Sequence, residues 1–227
     1  MRIVSGRARG RKLFSPPVTT RPTTDRVREA LFNSLDNLLD WDATTVLDLY
    51  AGSGAVGLEA ASRGAQAVTL VEKNASAVAS AERNRRVVGA PGVTIVRRSV
   101  QAFLATAPTT EILPSRPHVE RGFAVARESS TADAARTSVA APYDLVFADP
   151  PYAQVEKDWP GILTALVENG WVADGSVIVL ERSSRDTPTH WPAHYREYRS
   201  KKYGETRIDI AIVESTCLLY TSPSPRD

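Results

Sequence analysis

An apolar run that breaks into glycines and then resumes constrains this chain more than any other feature. Thr45-Val46-Leu47-Asp48-Leu49-Tyr50 reads as a buried strand and leads into Ala51-Gly52-Ser53-Gly54-Ala55-Val56-Gly57, a G-x-G-x-x-G turn. Leu58 to Arg63 has helix-forming composition and stops at Gly64, after which Ala67-Val68-Thr69-Leu70-Val71 reads as a second strand ending at Glu72. Glycines at a strand-to-helix junction let the backbone approach a ligand closely, and an acid about 20 residues further on is placed to hold ribose hydroxyls. Strand, turn, helix, strand and acid in that order point to a cofactor site. A glycine turn alone would also suit a purely structural corner.

A second constellation lies about a hundred residues on, where Tyr143-Asp144-Leu145-Val146-Phe147-Ala148 delivers Asp149-Pro150-Pro151-Tyr152. Each proline locks its own φ and restricts its predecessor, so the acid and the carbonyls are fixed in space. An exocyclic amine on a planar base can donate to the Asp149 carboxylate and the Pro150 carbonyl while Tyr152 stacks on the ring. The plainer alternative is a strand followed by a proline-rich turn. Asp48 also bears on the cofactor. A negative charge just before the glycine turn suits a cationic amino-acid moiety better than a pyrophosphate, which argues against a nicotinamide.

Val46 to Gly54 together with Phe147 to Tyr152 resemble class I S-adenosylmethionine-dependent methyltransferases that act on an exocyclic amine. The opening Met1-Arg2-Ile3-Val4-Ser5-Gly6, the block Arg21 to Asn33 and Lys202-Tyr203-Gly204-Glu205-Thr206 narrow this, being similar to the bacterial 16S rRNA guanine-N2 methyltransferases of the RsmD type. The resemblance implies an α/β fold with a doubly wound, mostly parallel seven-stranded sheet and a basic amino-terminal β-hairpin. It implies S-adenosylmethionine against Asp48, Tyr50, Gly52, Ser53, Gly54 and Gly57, with Glu72 and Lys73 beyond the second strand. Where this class often places an acid for the adenine amine, the chain reads Arg97-Arg98-Ser99-Val100, so Ser99 is the expected contact, with Val100 or Gln101 beside it. Asp149, Pro150 and Tyr152 are the implied catalytic residues, and Pro151 and Lys202 meet the RNA. The guanine amine is a poor nucleophile because its lone pair is delocalised, and hydrogen bonds to its protons localise that pair. Transfer is then direct and needs alignment, without a metal or a covalent intermediate. The general motifs alone leave DNA adenine or cytosine methylation open, and a catalytically inactive ribosome-assembly factor is a further alternative.

The formal net charge of +2 conceals an asymmetry: residues 1–24 hold Arg2, Arg7, Arg9, Arg11, Lys12 and Arg21 and no acid. Ile3-Val4 and Leu13-Phe14 bracket Gly6 and Gly10 like a hairpin that would present these cations to phosphates, the alternative being a solvated basic tail. Residues 1–22 are therefore expected to be an RNA-binding extension and 23–214 a methyltransferase domain. At 227 residues and 42% hydrophobic, the chain can bury one substantial core. One cysteine, Cys217, excludes an intrachain disulfide, and no run approaches the ~18 apolar residues of a membrane span. A cytoplasmic monomer is expected, acting on 16S rRNA, the small ribosomal subunit or its assembly intermediate. His118, His190 and His194 assemble no metal site.

Spacing predicts helices over 23–39, 75–88, 100–105 and 162–168, and strands over 93–96, 176–181, 195–201 and 206–213. Residues 106–141, rich in Ser, Thr, Ala and Pro, read as a mobile insertion whose Arg116, Arg121 and Arg127 offer only a weak case for RNA contact. Residues 215–227 read as a disordered tail resembling translated cloning sequence.

Overall fold

Strands built from Val, Leu, Ile and Ala on both faces belong in the middle of a parallel sheet with helices on either side. The computed structural model describes residues 1–15, 24–108, 142–150 and 155–214. Its seven strands are β1 (Thr45–Leu49), β2 (Ala67–Val71), β3 (Val93–Val96), β4 (Tyr143–Ala148), β5 (Val172–Ser183), β6 (Tyr195–Tyr203) and β7 (Thr206–Val213), in the order β3-β2-β1-β4-β5-β7-β6. The first five are parallel; β7 runs antiparallel between β5 and β6, leaving β6 as an edge strand. The strand order reverses between β1 and β4. In open α/β sheets that switch point opens a crevice beyond the carboxyl ends of the strands, where ligands bind.

Among the described residues five α-helices cover the sheet: α1 (Asp25–Leu35), α2 (Ala55–Arg63), α3 (Ala75–Val88), α4 (Val100–Leu104) and α5 (Val155–Glu168). One face carries Val46, Val68, Leu70, Phe147, Val179 and Ile210 against α1, α2 and α3. The other carries Leu47, Leu49, Val146, Ile178 and Leu180 against α4 and α5. The β1–β4 pair is pinned far from the crevice, where the Thr45 N–H and hydroxyl each donate to Asp144 Oδ2 at 2.8 Å.

The expected hairpin is present as one antiparallel pair, Arg2 with Lys12, closed by Ile3 N–H to Arg11 O at 3.0 Å and Gly10 N–H to Ile3 O at 2.8 Å. It does not hang from the domain: Ile3, Ala8 and Leu13 are buried in the same core as α1 to α3. Burial of Ile3 and of Leu13 stabilises this docking by about 1.5–3 kcal/mol each.

Three elements differ from expectation. Helix α1 begins at Asp25 behind the Thr24 cap and stops at Leu35. Asp36, the next residue, accepts from Trp41 Nε1 at 2.8 Å and pairs with Arg63, so its side chain serves tertiary contacts that turn the chain. Helix α5 starts seven residues before the expected Ile162 and carries Pro160 inside it. Strand β5 extends from Val172 to Ser183 through an exposed irregularity at residues 173–175. The insertion beyond residue 108 and the tail from 215 lie outside the described residues.

Candidate active site

The glycine turn is held from behind by Asp48. Its carboxylate, at the end of β1 and 1% exposed, accepts the Gly57 N–H at 2.9 Å and so fastens the first turn of α2 to the sheet. Gly57 is needed for that approach, since a Cβ there would lie 2.3 Å from Leu70 Cδ2. Burial, opposed by the Gly57 hydrogen bond and assisted by Glu72, pushes the Asp48 carboxyl up to about 7. Tyr50, the next residue after β1, has φ +60°, an unusual conformation for a side chain of this size that turns the chain out of the strand.

Glu72, at the end of β2, accepts Gly52 N–H at 3.0 Å through Oε2 and Asn74 N–H at 2.7 Å through Oε1. Its carboxylate is thus locked in place with lone pairs to spare. A Cβ built on Gly52, at φ +55°, would meet nothing nearer than Tyr50 O at 3.9 Å, so the mouth of the turn is open where its base at Gly57 is closed. An open turn, a fixed acid behind it and a buried acid beneath fit a cofactor with ribose hydroxyls and a cationic group. Ser53 is buried and Gly54 caps α2. Lys73 is exposed beside Glu72. Ser99 caps α4, accepting Ala102 N–H at 3.2 Å, and Val100 is buried, so the expected adenine contact already holds a helix end.

Asp149 directly follows β4, whose neighbour β1 leads into the glycine turn. Burial first, then Glu181 and Asp48, hold its carboxyl well above the usual range. Pro150 is buried behind it. Pro151 and Tyr152 lie outside the described residues. Glu181, which sequence reasoning noticed only as the end of a strand, is 4% exposed on β5. Ala148 of β4 is the register partner of Leu180, so Asp149 and Glu181 are each one residue beyond that pair.

The basic arm is partly engaged by the fold. Arg7 donates to Ala61 O at 3.1 Å near the end of α2, and Arg11 donates to Val87 O and to Val88 O at the end of α3, where helix carbonyls favour a cation. Arg2 pairs with Asp25 at 3.7 Å. Arg9 and Lys12 are exposed and make no ion pair among the described residues, while Arg21 lies outside them. Lys202 is exposed on β6 opposite Arg207, whereas Lys201, opposite Ile208, points to the face that carries Glu181.

Two buried residues that sequence reasoning missed anchor the arm. Glu59 of α2 accepts Val4 N–H at 2.7 Å and Ser5 N–H at 2.8 Å and pairs with buried Arg28 and Arg63. Asn84 of α3 accepts Phe14 N–H at 2.7 Å and donates at 2.9 Å to both Phe14 O and Ser53 O, linking the arm to the glycine turn. A polar residue in each helix was visible in the sequence, but nothing local marked its partner.

The sequence matches the family described as Conserved hypothetical protein 95 over residues 1–113 and 115–212. It is 32% identical over 225 residues to ribosomal RNA small subunit methyltransferase D of Escherichia coli K12, covering 92% of this chain and 94% of that protein. It is 28% identical over 211 residues to the putative rRNA methyltransferase YlbH of Bacillus subtilis, covering 92% and 97%. The solved structure of the putative methyltransferase yhhF from Escherichia coli superposes with a TM-score of 0.72 at 31% identity, covering 94% of this chain and 98% of that one. With the seven-stranded sheet and its crevice at the β1–β4 switch, these likenesses establish that the chain belongs to the Conserved hypothetical protein 95 family, that of the RsmD methyltransferases.

Proposed function

We propose that this chain transfers a methyl group from S-adenosylmethionine to the exocyclic N2 amine of a guanine in 16S rRNA. The observation that carries the reading is the meeting of two sites at one crevice: the open glycine turn backed by Asp48 and Glu72, and Asp149 at the end of the neighbouring strand. Membership of a methyltransferase family and relatives named for small-subunit ribosomal RNA support the substrate class.

S-adenosylmethionine, when bound, supplies a methyl group on a positively charged sulfur. Gly52 and Gly54 would hold it at the turn, Glu72 its ribose hydroxyls and Asp48 the neighbourhood of its ammonium group. Asp149 would accept a hydrogen bond from the guanine amine, and the Pro150 carbonyl would take the other, localising the nitrogen lone pair. Positioning of the two reactants contributes about 7–11 kcal/mol in well-oriented systems, so the work of the site is alignment. Arg9 and Lys12 are the arm's available cations for phosphates.

The test is to offer methyl-labelled S-adenosylmethionine with small ribosomal subunits, naked 16S rRNA and duplex DNA, and to map the labelled base. Label on guanine N2 of ribosomal RNA is expected. Label on a DNA amine would replace the reading with a DNA methyltransferase, and no label on any of them would leave an RNA-docking factor.

A further inference from the structure

Four buried or half-buried carboxylates, Asp48, Glu72, Asp149 and Glu181, lie toward one end of the sheet, and of these Glu181 alone has no role in the reading above. Asp48 holds the glycine turn and Asp149 meets the amine. Glu181 is 4% exposed and comes from the next strand, one residue past the Ala148–Leu180 pair that Asp149 also follows, and alternates with Val177 and Val179. Burial and a like-charged neighbour each disfavour the ionised form of a carboxylate, so neighbouring buried carboxylates titrate as a pair.

We propose that Glu181 is a positioning residue for the transfer reaction: held beside Asp149 by the β4–β5 register, its carboxylate makes Asp149 the acceptor of the proton that the methylated amine gives up. The proposal rests on the reading of Asp149 as the group that meets the amine. As the nitrogen bonds the methyl carbon and the carbon–sulfur pair returns to sulfur, the nitrogen is left with one proton too many and a positive charge. The N–H bond then breaks with its electron pair returning to nitrogen, and an O–H bond forms on the Asp149 carboxylate. An ordinary carboxylate, near 3.9, is a weak base for this purpose; one raised by burial and a like-charged neighbour is better matched to neutral pH. The direction found at Asp149, with Glu181 its largest charge partner, agrees.

The other charged groups on this face do not substitute for Glu181. Asp48 is engaged with Gly57, and Glu72 with Gly52 and Asn74. Arg28 and Arg63, from the helices above, pair with Glu59. On the far side, apolar Ile208 of β7 separates Glu181 from Lys201 of β6 in the register.

The experiment is a pH profile of single-turnover methyl transfer to small ribosomal subunits or 16S rRNA, whichever is methylated, for the wild type, Glu181→Gln, Glu181→Asp and Asp149→Asn. Glu181→Gln should move the acidic inflection down by about one pH unit or more and lower the plateau, whereas Glu181→Asp should restore most of the wild-type profile. An unchanged inflection in a folded Glu181→Gln protein overturns the proposal. If that variant does not fold, titration of both carboxyl carbons by NMR in the wild type decides: an Asp149 that titrates independently of Glu181 overturns the proposal, and one whose titration is coupled to that of Glu181 supports it. Wild-type turnover in Asp149→Asn would instead remove the underlying reading of Asp149, an outcome distinct from any result at Glu181.

Discussion

The two faces of the sheet are filled in different ways where helices cover them, the buried cluster of Arg182, Thr189, Arg207 and Asp209 on and beside β5 and β7 aside. Against α4 and α5 the core is apolar and aromatic: Trp171 stacks on Phe103 with ring centroids 4.4 Å apart, and Tyr143 lies 6.2 Å from the same indole. Against α1 to α3 the core is threaded with buried polar side chains, among them Glu59, Arg28, Asn84 and Asp48. Apolar filling is non-directional and sets how stable a fold is, whereas a buried hydrogen-bond network is directional and sets where things are. The candidate site stands on the second kind of face, where the arm, the glycine turn and the strand ends are tied to one another by specific atoms.

Changes on the two faces should therefore have different signatures. The largest expected effect is at the site: Asp149→Ala should slow methyl transfer by about 10²–10⁴-fold while cofactor binding by calorimetry stays within a few-fold. A variant that keeps near-normal turnover would detach Asp149 from the chemistry. Next, Trp171→Ala should cost about 3–5 kcal/mol in urea unfolding and leave the turnover of the folded fraction unchanged. Glu59→Ala should cost about 1–3 kcal/mol by removing the acceptor of the Val4 and Ser5 N–H groups, while Arg28 keeps Asp25 and Arg63 keeps Asp36. It should also weaken RNA binding, because Val4 and Ser5 lose their acceptor. If RNA affinity is untouched once the protein is folded, the arm is not part of the substrate surface.

A smaller effect concerns Asp48. A carboxyl raised to about 7 is largely protonated at pH 6 and ionised at pH 8, so cofactor affinity should rise up to about tenfold across that window. It should become flat in Asp48→Asn. The stability linkage has the opposite sign: with the folded pKa above the unfolded one, Asp48's contribution is full below pH 3.8 and is lost as pH rises through about 7. Smallest is the double change Arg9→Ala with Lys12→Ala, which should flatten the salt dependence of RNA binding by about one to two in slope. It spares Ile3, Ala8 and Leu13, which a deletion of the arm would tear from the core.

The order of strands and helices was legible because each segment carries its own signal: apolar runs for β1, β2 and β4, glycines at the turn, caps at Thr24 and Asn74. What was not legible depends on partners distant in the chain. Glu59 is an ordinary helical glutamate until Val4 and Ser5 arrive from 55 and 54 residues away. Asn84 looks like a solvent-facing residue of a basic helix, yet it is buried between Phe14 and Ser53. Glu181 acquires its meaning only from the β4–β5 register, which no local pattern specifies.

Among the described residues strand β6 ends the sheet with no strand on its outer side, an arrangement that ordinarily invites another chain to add one. Its sequence, Tyr195-Arg196-Glu197-Tyr198-Arg199-Ser200-Lys201-Lys202-Tyr203, is exposed along most of its length and holds four cations with no pair of adjacent aliphatic residues. A second copy approaching edge to edge would bring those cations against their own kind, so the open strand repels its twin while remaining attractive to polyanions.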